Sequence, residues 1–227
     1  MVKIGVCIPF KSKVSLYWAV NLSNILTNTQ YPVEVLASKH YSLDKARNDL
    51  VLSAINSNCT HVLFLDTDII PNLYVNGNYI PFPSFINHLV EFDYPIVSGI
   101  YYSKKGHLAI YEYQEGELPF KPTDKKFEDY AEKVSYVDGI PMGLCLIKIE
   151  VFDKLKENGY FPWFEYSRIY KENGFIEMSE DLDFCLKIIK LFGRRSILLW
   201  GHLVGLHEAS VLIYPDSKMQ ANIFGEY

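Results

Sequence analysis

Apolar positions along this chain come in short dense runs, and stretches with helical spacing separate them. "KIGVCIP" near the N-terminus reads as a strand. Ser15 stands where it can cap a helix running through Thr27, and "VEVLAS" reads as a second strand. Ser42 can cap a helix from Leu43 to about Ser57, with Ala46, Leu50, Ala54 and Ile55 on one face. "HVLFL" is a third strand, "FINHLVEF" a short helix and "PIVSGIYY" a fourth strand. Nearly all-apolar strands that alternate with helices predict an α/β fold, with a mostly parallel central sheet and helices on both faces.

Residues 102–134 mix Gly, Pro and charge and read as a loop-rich insertion or a short antiparallel excursion. "SYVDGIPMGLCLIKIEVFDKL" returns to strand, loop, strand and helix, and "GYFPWFEYSRIYKENGF" reads as an aromatic loop. "SEDLDFCLKIIKLFG" is the clearest helix. Ser179 caps it, Leu182, Cys185, Ile188, Ile189 and Phe192 form its apolar face, and Gly193 stops it. "SILLW" closes the pattern as a last core strand. No linker or internal repeat interrupts the 227 residues, so a single domain is expected.

Composition narrows the function classes. Hydrophobic residues are 49% of the chain, enough for a sizeable core. A net charge of −5 with no run of like charges argues against a nucleic-acid binder, which usually shows a basic stripe. "MVKIGVCIPF" lacks a cleavage-site pattern and reads as a first strand, not a signal peptide, and no apolar run reaches the length of a membrane span. Cys7, Cys59, Cys145 and Cys185 are scattered without a CxxC pair. Buried, reduced thiols in a cytoplasmic protein are the expectation.

The chemistry concentrates at "THVLFLDTDIIP", where an apolar strand runs into Asp66-Thr67-Asp68. Ligands of open α/β sheets bind at the carboxyl ends of strands. In extended backbone, residues two apart point the same way. Both carboxylates then reach one hard divalent cation, which relieves their mutual repulsion. On its own a D-x-D string is weak and common, and a solvated turn that closes the strand is the better reading.

The surrounding motifs change that balance. "GVCIPF", "DKARNDLVLSAI", "HVLFLDTDIIP", "PIVSGIYYSK", "VDGIPMGLCLIKIEVFDKL", "PWF", "SEDLDFC" and a late histidine follow one another in this order. Together they resemble the GT-A-type glycosyltransferases, especially family-2-like members, over most of the chain. The resemblance implies a single GT-A-type domain. Residues 1–100 would form a Rossmann-like nucleotide-sugar-binding half, and residues 101–227 the acceptor-binding and catalytic half.

What the resemblance implies can be stated residue by residue. Asp66 and Asp68 would hold Mn²⁺ or Mg²⁺ against the diphosphate of a nucleotide-sugar. His207 would be the third metal ligand, with His202 in reserve. In inverting members the second acid of the E-D pair is the base, which assigns that role to Asp181, with Glu180 hydrogen-bonding the acceptor or orienting the site. Pro9, Phe10, Lys11, Arg47, Thr67 and Gly139 would join Asp66 and Asp68 in binding the donor. Arg47 would pair with the diphosphate, where the bland alternative is a surface salt bridge. Met142, Trp163 and Phe164 would contact the acceptor, where the bland alternative for the two aromatics is a hydrophobic plug under a loop. Independently of the resemblance, the helix macrodipole favours ionised Glu180 and Asp181 in a first turn, and Asp183 reads as an exposed helix acid.

The expected activity is transfer of a sugar from a nucleotide-diphosphate donor, a UDP- or GDP-sugar first, to a hydroxyl of a glycan, lipid or protein. Two rivals stay open. A sugar-nucleotide nucleotidyltransferase shares the architecture, but "IPFKSKVSLYW" lacks the glycine-rich phosphate loop of that class. A non-catalytic sugar- or nucleotide-binding module would keep the fold without the activity.

Overall fold

The computed structural model describes residues 1–10, 14–39, 42–104, 106–116, 118–171, 174–208, 212–213 and 219–220. The first elements are β1 (Ile4–Phe10), α1 (Leu16–Asn28), β2 (Val33–Lys39), α2 (Leu43–Asn56) and β3 (His61–Leu65). A hairpin of β4 (Ile69–Val75) and β5 (Asn78–Pro81) follows, then α3 (Phe85–Glu91) and β6 (Ile96–Ile100). The excursion after β6 contains β7 (Tyr111–Tyr113), β8 (Phe120–Pro122) and α4 (Phe127–Tyr130). Next come β9 (Val134–Val137), β10 (Leu144–Lys148), α5 (Ile149–Glu157), β11 (Ser167–Lys171), β12 (Gly174–Met178) and α6 (Glu180–Phe192). The chain closes with β13 (Ile197–His207), β14 (Leu212–Ile213) and β15 (Met219–Gln220).

One mixed sheet runs through the molecule, in the order β15-β14-β13-β6-β10-β3-β1-β2. β1 pairs in parallel with β2 and β3, and β13 pairs in parallel with β6. β10 lies between β3 and β6 and runs antiparallel to both. The expected parallel sheet is therefore interrupted by one reversed strand. β10 enters through the 138–143 loop instead of a helical crossover, and only a crossover would have preserved direction. The antiparallel partners β4 and β9 extend β13. Because β10 and β13 sit beside β3 and β6, residues 1–100 and 101–227 share one core.

The local signals explain much of this. β3, β6 and most of β1 and β10 are buried along their length, as strands covered on both faces must be. Ser15 caps α1 by accepting from the Trp18 amide at 2.9 Å, and Ser179 caps α6 by accepting from the Leu182 amide at 3.4 Å. Ser42 makes no such bond. Its hydroxyl turns to the Asp44 carboxylate instead. Residues Gly201 and Gly205 look like strand breakers but lie inside β13. A Cβ at Gly201 would fall 1.9 Å from the Tyr130 carbonyl oxygen, so only glycine lets the strand pass there.

All four cysteines are buried and unpaired. Among the described residues, no helix is long and apolar enough to cross a membrane.

Candidate functional site

The carboxyl ends of β1 and β3 open into a cleft of about 570 Å³. Pro9, Phe10, Asp66, Thr67, Asp68 and His207 line it together. The Asp66–Asp68 segment is pinned from several sides. The Asp66 amide donates to the Gly143 carbonyl at 3.0 Å, and the Trp18 indole donates to the Asp66 carbonyl at 3.0 Å. The Glu208 amide donates to the Asp68 carbonyl at 2.7 Å, which ties the end of β13 to the end of β3. His207, the last residue of β13, thereby comes to Asp68: its Nδ1 is 3.8 Å from Asp68 Oδ2. That nitrogen is buried and has no hydrogen-bond partner among the described residues.

Behind Asp66 lies an internal charge cluster. Arg47 is 1% exposed. Its Nε is 3.2 Å from Asp181 Oδ1 and 3.6 Å from Glu180 Oε1, and its Nη1 is 3.4 Å from Asp66 Oδ1. The guanidinium lies over the Phe64 ring, 5.1 Å from the centroid. Burial pulls the guanidinium down, but Asp181, Asp66 and Glu180 together hold it above its usual value. Burial pushes the Asp181 carboxyl up, and Arg47 opposes it. Glu180 and Asp66 add to the rise and the Met142 amide lowers it, leaving Asp181 at about 7. The helix-terminus field does not dominate here. A buried carboxyl beside two others is governed by desolvation and like charge.

Asp68 behaves oppositely. Burial raises its carboxyl, but His207 and Lys104 outweigh burial and bring it to about 2. The Lys104 ammonium sits directly on Asp68 Oδ2. Among the described residues, no three His, Cys, Asp or Glu side chains already converge as a metal cage. The donor set still fits a divalent cation: two carboxylates and an imidazole line one cleft, and the position beside Asp68 is held by a positive charge.

Several sequence expectations need correction. Trp163 and Phe164 are 0% exposed. The Trp163 indole donates to the Phe152 carbonyl at 2.9 Å, and Phe164 stacks on Phe184 at 4.6 Å, so these rings form a plug and offer no platform to an acceptor. Met142 is equally buried and reaches the site only through its amide on Asp181. Gly139 lies off the cleft, bridged to Tyr111 and packed against the Phe120 ring. Arg47 does not line the cleft and is neither a surface ion pair nor open to a diphosphate, because its charge is already taken by three carboxylates. His202 turns away, its Nδ1 3.1 Å from the Tyr74 carbonyl. Asp183 is buried, and its Oδ2 is 2.6 Å from Lys187 Nζ. Lys187 also donates to the Pro162 carbonyl at 2.9 Å, clamping the aromatic loop to α6. Lys11 lies outside the described residues.

The cleft also contains residues that the sequence did not single out. Tyr101, Lys104, His107 and Tyr111 form one of its walls. His107 Nδ1 is 3.1 Å from the Ser103 hydroxyl, and its Nε2 is 3.4 Å from the Tyr111 hydroxyl. All lie in or beside the segment after β6 that reads as a loop-rich insertion, where no periodicity marks which side chains turn inward.

Fold and cleft together define an α/β protein with one large mixed sheet, two small hairpin sheets, and a cleft carrying two aspartates at the carboxyl ends of its strands. No family model and no curated protein matches the chain. Among solved structures it is similar to A197 from STIV, with 20% sequence identity, a TM-score of 0.60, and coverage of 96% of this chain and 93% of that one. At that identity the likeness shows the fold.

Proposed function

We propose that this chain is a GT-A-type, metal-dependent glycosyltransferase that moves a sugar from a nucleotide-diphosphate donor to a hydroxyl of a glycan, lipid or protein. One observation carries the reading. Asp66, Asp68 and His207 line the same cleft at the carboxyl end of the sheet, with His207 Nδ1 3.8 Å from Asp68 Oδ2. These three side chains would hold Mn²⁺ or Mg²⁺. The metal, when bound, neutralises charge that builds on a departing diphosphate.

The remaining roles belong to the protein's own groups. Pro9 and Phe10 wall the donor side of the cleft. Arg47 fixes Asp66 from behind, so that its carboxylate is oriented before any ligand arrives. Asp181 and Glu180 lie behind the cleft wall and are not part of its lining; in this reading the 14% of the Asp181 side chain that is exposed takes the proton of the acceptor hydroxyl. Its position near neutrality suits it to accept a proton and later release it. Glu180, 3% exposed, holds the Tyr166 hydroxyl beside Asp181.

The test is thermal unfolding with UDP, GDP, dTDP and CMP, each with and without Mn²⁺. A ligand at a hundred times its dissociation constant adds about 2.7 kcal/mol, or roughly 5–10 °C for a chain of this size. The expected result is a shift from one diphosphate that requires Mn²⁺ and disappears in Asp68→Ala. No shift with any nucleotide, or a shift indifferent to both Mn²⁺ and Asp68, would overturn the proposal.

A further inference from the structure

A second hollow of about 380 Å³ adjoins the cleft, and Tyr111 belongs to the walls of both. It is built where the β7–β8 hairpin, the end of β9 and the turn after α6 meet. Asp138 is the hub of that junction and is 5% exposed. Its Oδ1 accepts from the Arg195 amide at 2.8 Å. Its Oδ2 accepts from the Tyr113 amide at 3.0 Å and from Arg194 Nη2 at 2.9 Å. These bonds hold the Arg194–Arg195 turn against the hairpin. Arg195 itself adopts a φ of 58°, a conformation that a long side chain rarely takes unless its surroundings impose it.

The charge of this hollow does not cancel internally. Asp138 is consumed by Arg194 and two amides. Glu112 accepts from the Thr123 hydroxyl at 3.0 Å and lies 3.7 Å from Lys121 Nζ, so it too is matched. Among the described residues no carboxylate pairs with the Arg195 guanidinium or the Lys125 ammonium, although both line the hollow. Lys125 rests over the Tyr130 ring at 5.4 Å. The lining also includes Tyr136, which is 51% exposed with its ring 5.6 Å from that of Tyr94, and the half-buried Tyr111.

Two cations without a carboxylate partner among the described residues, beside the exposed Tyr136 and the half-buried Tyr111, suit a ligand with an anionic group on a ring with apolar faces. A guanidinium binds phosphate or carboxylate through paired N–H donors, and an aromatic face packs on the C–H surface of a pyranose. We propose that this hollow, lined by Tyr111, Lys125, Tyr136, Asp138, Arg194 and Arg195, binds an anionic sugar, a phosphorylated or carboxylated pyranose. Resting on the glycosyltransferase reading, the same hollow is the acceptor subsite, since Tyr111 connects it to the cleft in which the donor would lie. The acceptor class is then an acidic glycan.

The binding is testable without donor or metal, so its outcome is independent of the nucleotide experiment. Wild type, Arg195→Ala, Lys125→Ala and Asp68→Ala are titrated calorimetrically with glucose 6-phosphate, glucuronate, glucose and inorganic phosphate, in metal-free buffer. Arg195 and Lys125 are exposed, so their variants should fold. The expected result is binding of at least one acidic sugar, weakened about tenfold or more by either cation variant and unchanged by Asp68→Ala. Glucose should bind far more weakly, and inorganic phosphate more weakly than the sugar acid that binds. A preference for glucose 6-phosphate marks a phosphorylated acceptor, and a preference for glucuronate marks a uronic acid. Equal binding of glucose, equal binding of inorganic phosphate, indifference to both Arg195 and Lys125, loss of binding in Asp68→Ala, or no binding at about 10 mM ligand would each overturn the proposal.

Discussion

Arg47 Nε lies 3.2 Å from Asp181 Oδ1, and the same guanidinium reaches Glu180 and Asp66. A single buried cation thus serves three carboxylates from three places in the chain: the end of β3 and two successive positions at the start of α6. Removing one partner of a buried charge cluster leaves the others uncompensated, at a cost of about 3–5 kcal/mol. Arg47→Met should therefore destabilise the protein by about that amount in urea unfolding. The loss should be smaller at pH 5 than at pH 8, because protonated carboxyls no longer need the cation. A loss of under about 1 kcal/mol at both pH values would mean that the cluster is held by something else.

Asp181 sets a second pH dependence. Its folded value of about 7 lies well above the ordinary aspartate value of about 3.9. A group raised on folding stabilises the protein fully below its unfolded value, and that stabilisation disappears as pH rises through the folded value. The denaturation midpoint of wild type, taken relative to Asp181→Asn, should fall between about pH 4 and pH 8. If Asp181 is the base, transfer should rise with pH over the upper part of that window, since only the ionised carboxyl accepts a proton. In Asp181→Asn transfer should drop by a factor on the order of 10²–10⁴. A difference in midpoints that does not vary with pH would sink the assignment of the shift to Asp181.

These charges were only partly legible in the sequence. The apolar runs of β1, β3 and β6 and the capped helix α6 announce themselves, because burial on both faces and a 3.6-residue period leave marks within a few residues. The D-x-D string is placed at a strand end by the same logic, and the late His207 arrives beside it. The reversal of β10 leaves no such mark, since a buried antiparallel strand and a buried parallel one have the same composition. β13 runs past the expected "SILLW" strand to His207, through Gly201 and Gly205, where Tyr130 and Ile69 approach closely. Arg47, Asp183 and Lys187 resemble surface charges because a buried ion pair is recognisable only when its partners, distant in sequence, are brought together. Trp163 and Phe164 misled for the converse reason: an aromatic pair beside a proline is the same string in a sugar platform and in a core.

Gly143 touches the site by what it lacks. A Cβ there would lie 2.8 Å from Asp66 Oδ2 and 2.9 Å from the Tyr101 hydroxyl, which accepts from the Gly143 amide at 2.9 Å. The obstacles are the Asp66 carboxylate, held by Arg47, and the buried Tyr101 hydroxyl, so Gly143→Ala should push the Asp66 carboxylate aside and lower the unfolding midpoint. Manganese binding to the folded variant, read by electron paramagnetic resonance titration, should weaken. Unaltered manganese affinity in Gly143→Ala would show that Asp66 does not need this close approach to work.

Lys104 offers the sharpest test of the metal itself. Its ammonium sits on Asp68 Oδ2, and with His207 it holds the Asp68 carboxyl down to about 2 against burial. The side chain is 66% exposed, so the pair is screened, and such pairs contribute about 0.2–1 kcal/mol. A divalent cation bound through Asp68 must displace that ammonium. Lys104→Ala should then bind Mn²⁺ about 1.5–5-fold more tightly than wild type in the absence of nucleotide. The gain should shrink as salt is raised, because screening weakens the competitor in wild type. A displaced Lys104 also remains on the wall of the cleft, within reach of an anionic ligand. The same substitution should therefore loosen a nucleoside diphosphate measured at saturating Mn²⁺. Opposite signs for metal and nucleotide in one variant would identify Lys104 as a cation that yields its place to the metal and then turns to the diphosphate. Unchanged manganese affinity would mean that the ion, if it binds, does not bind at Asp68.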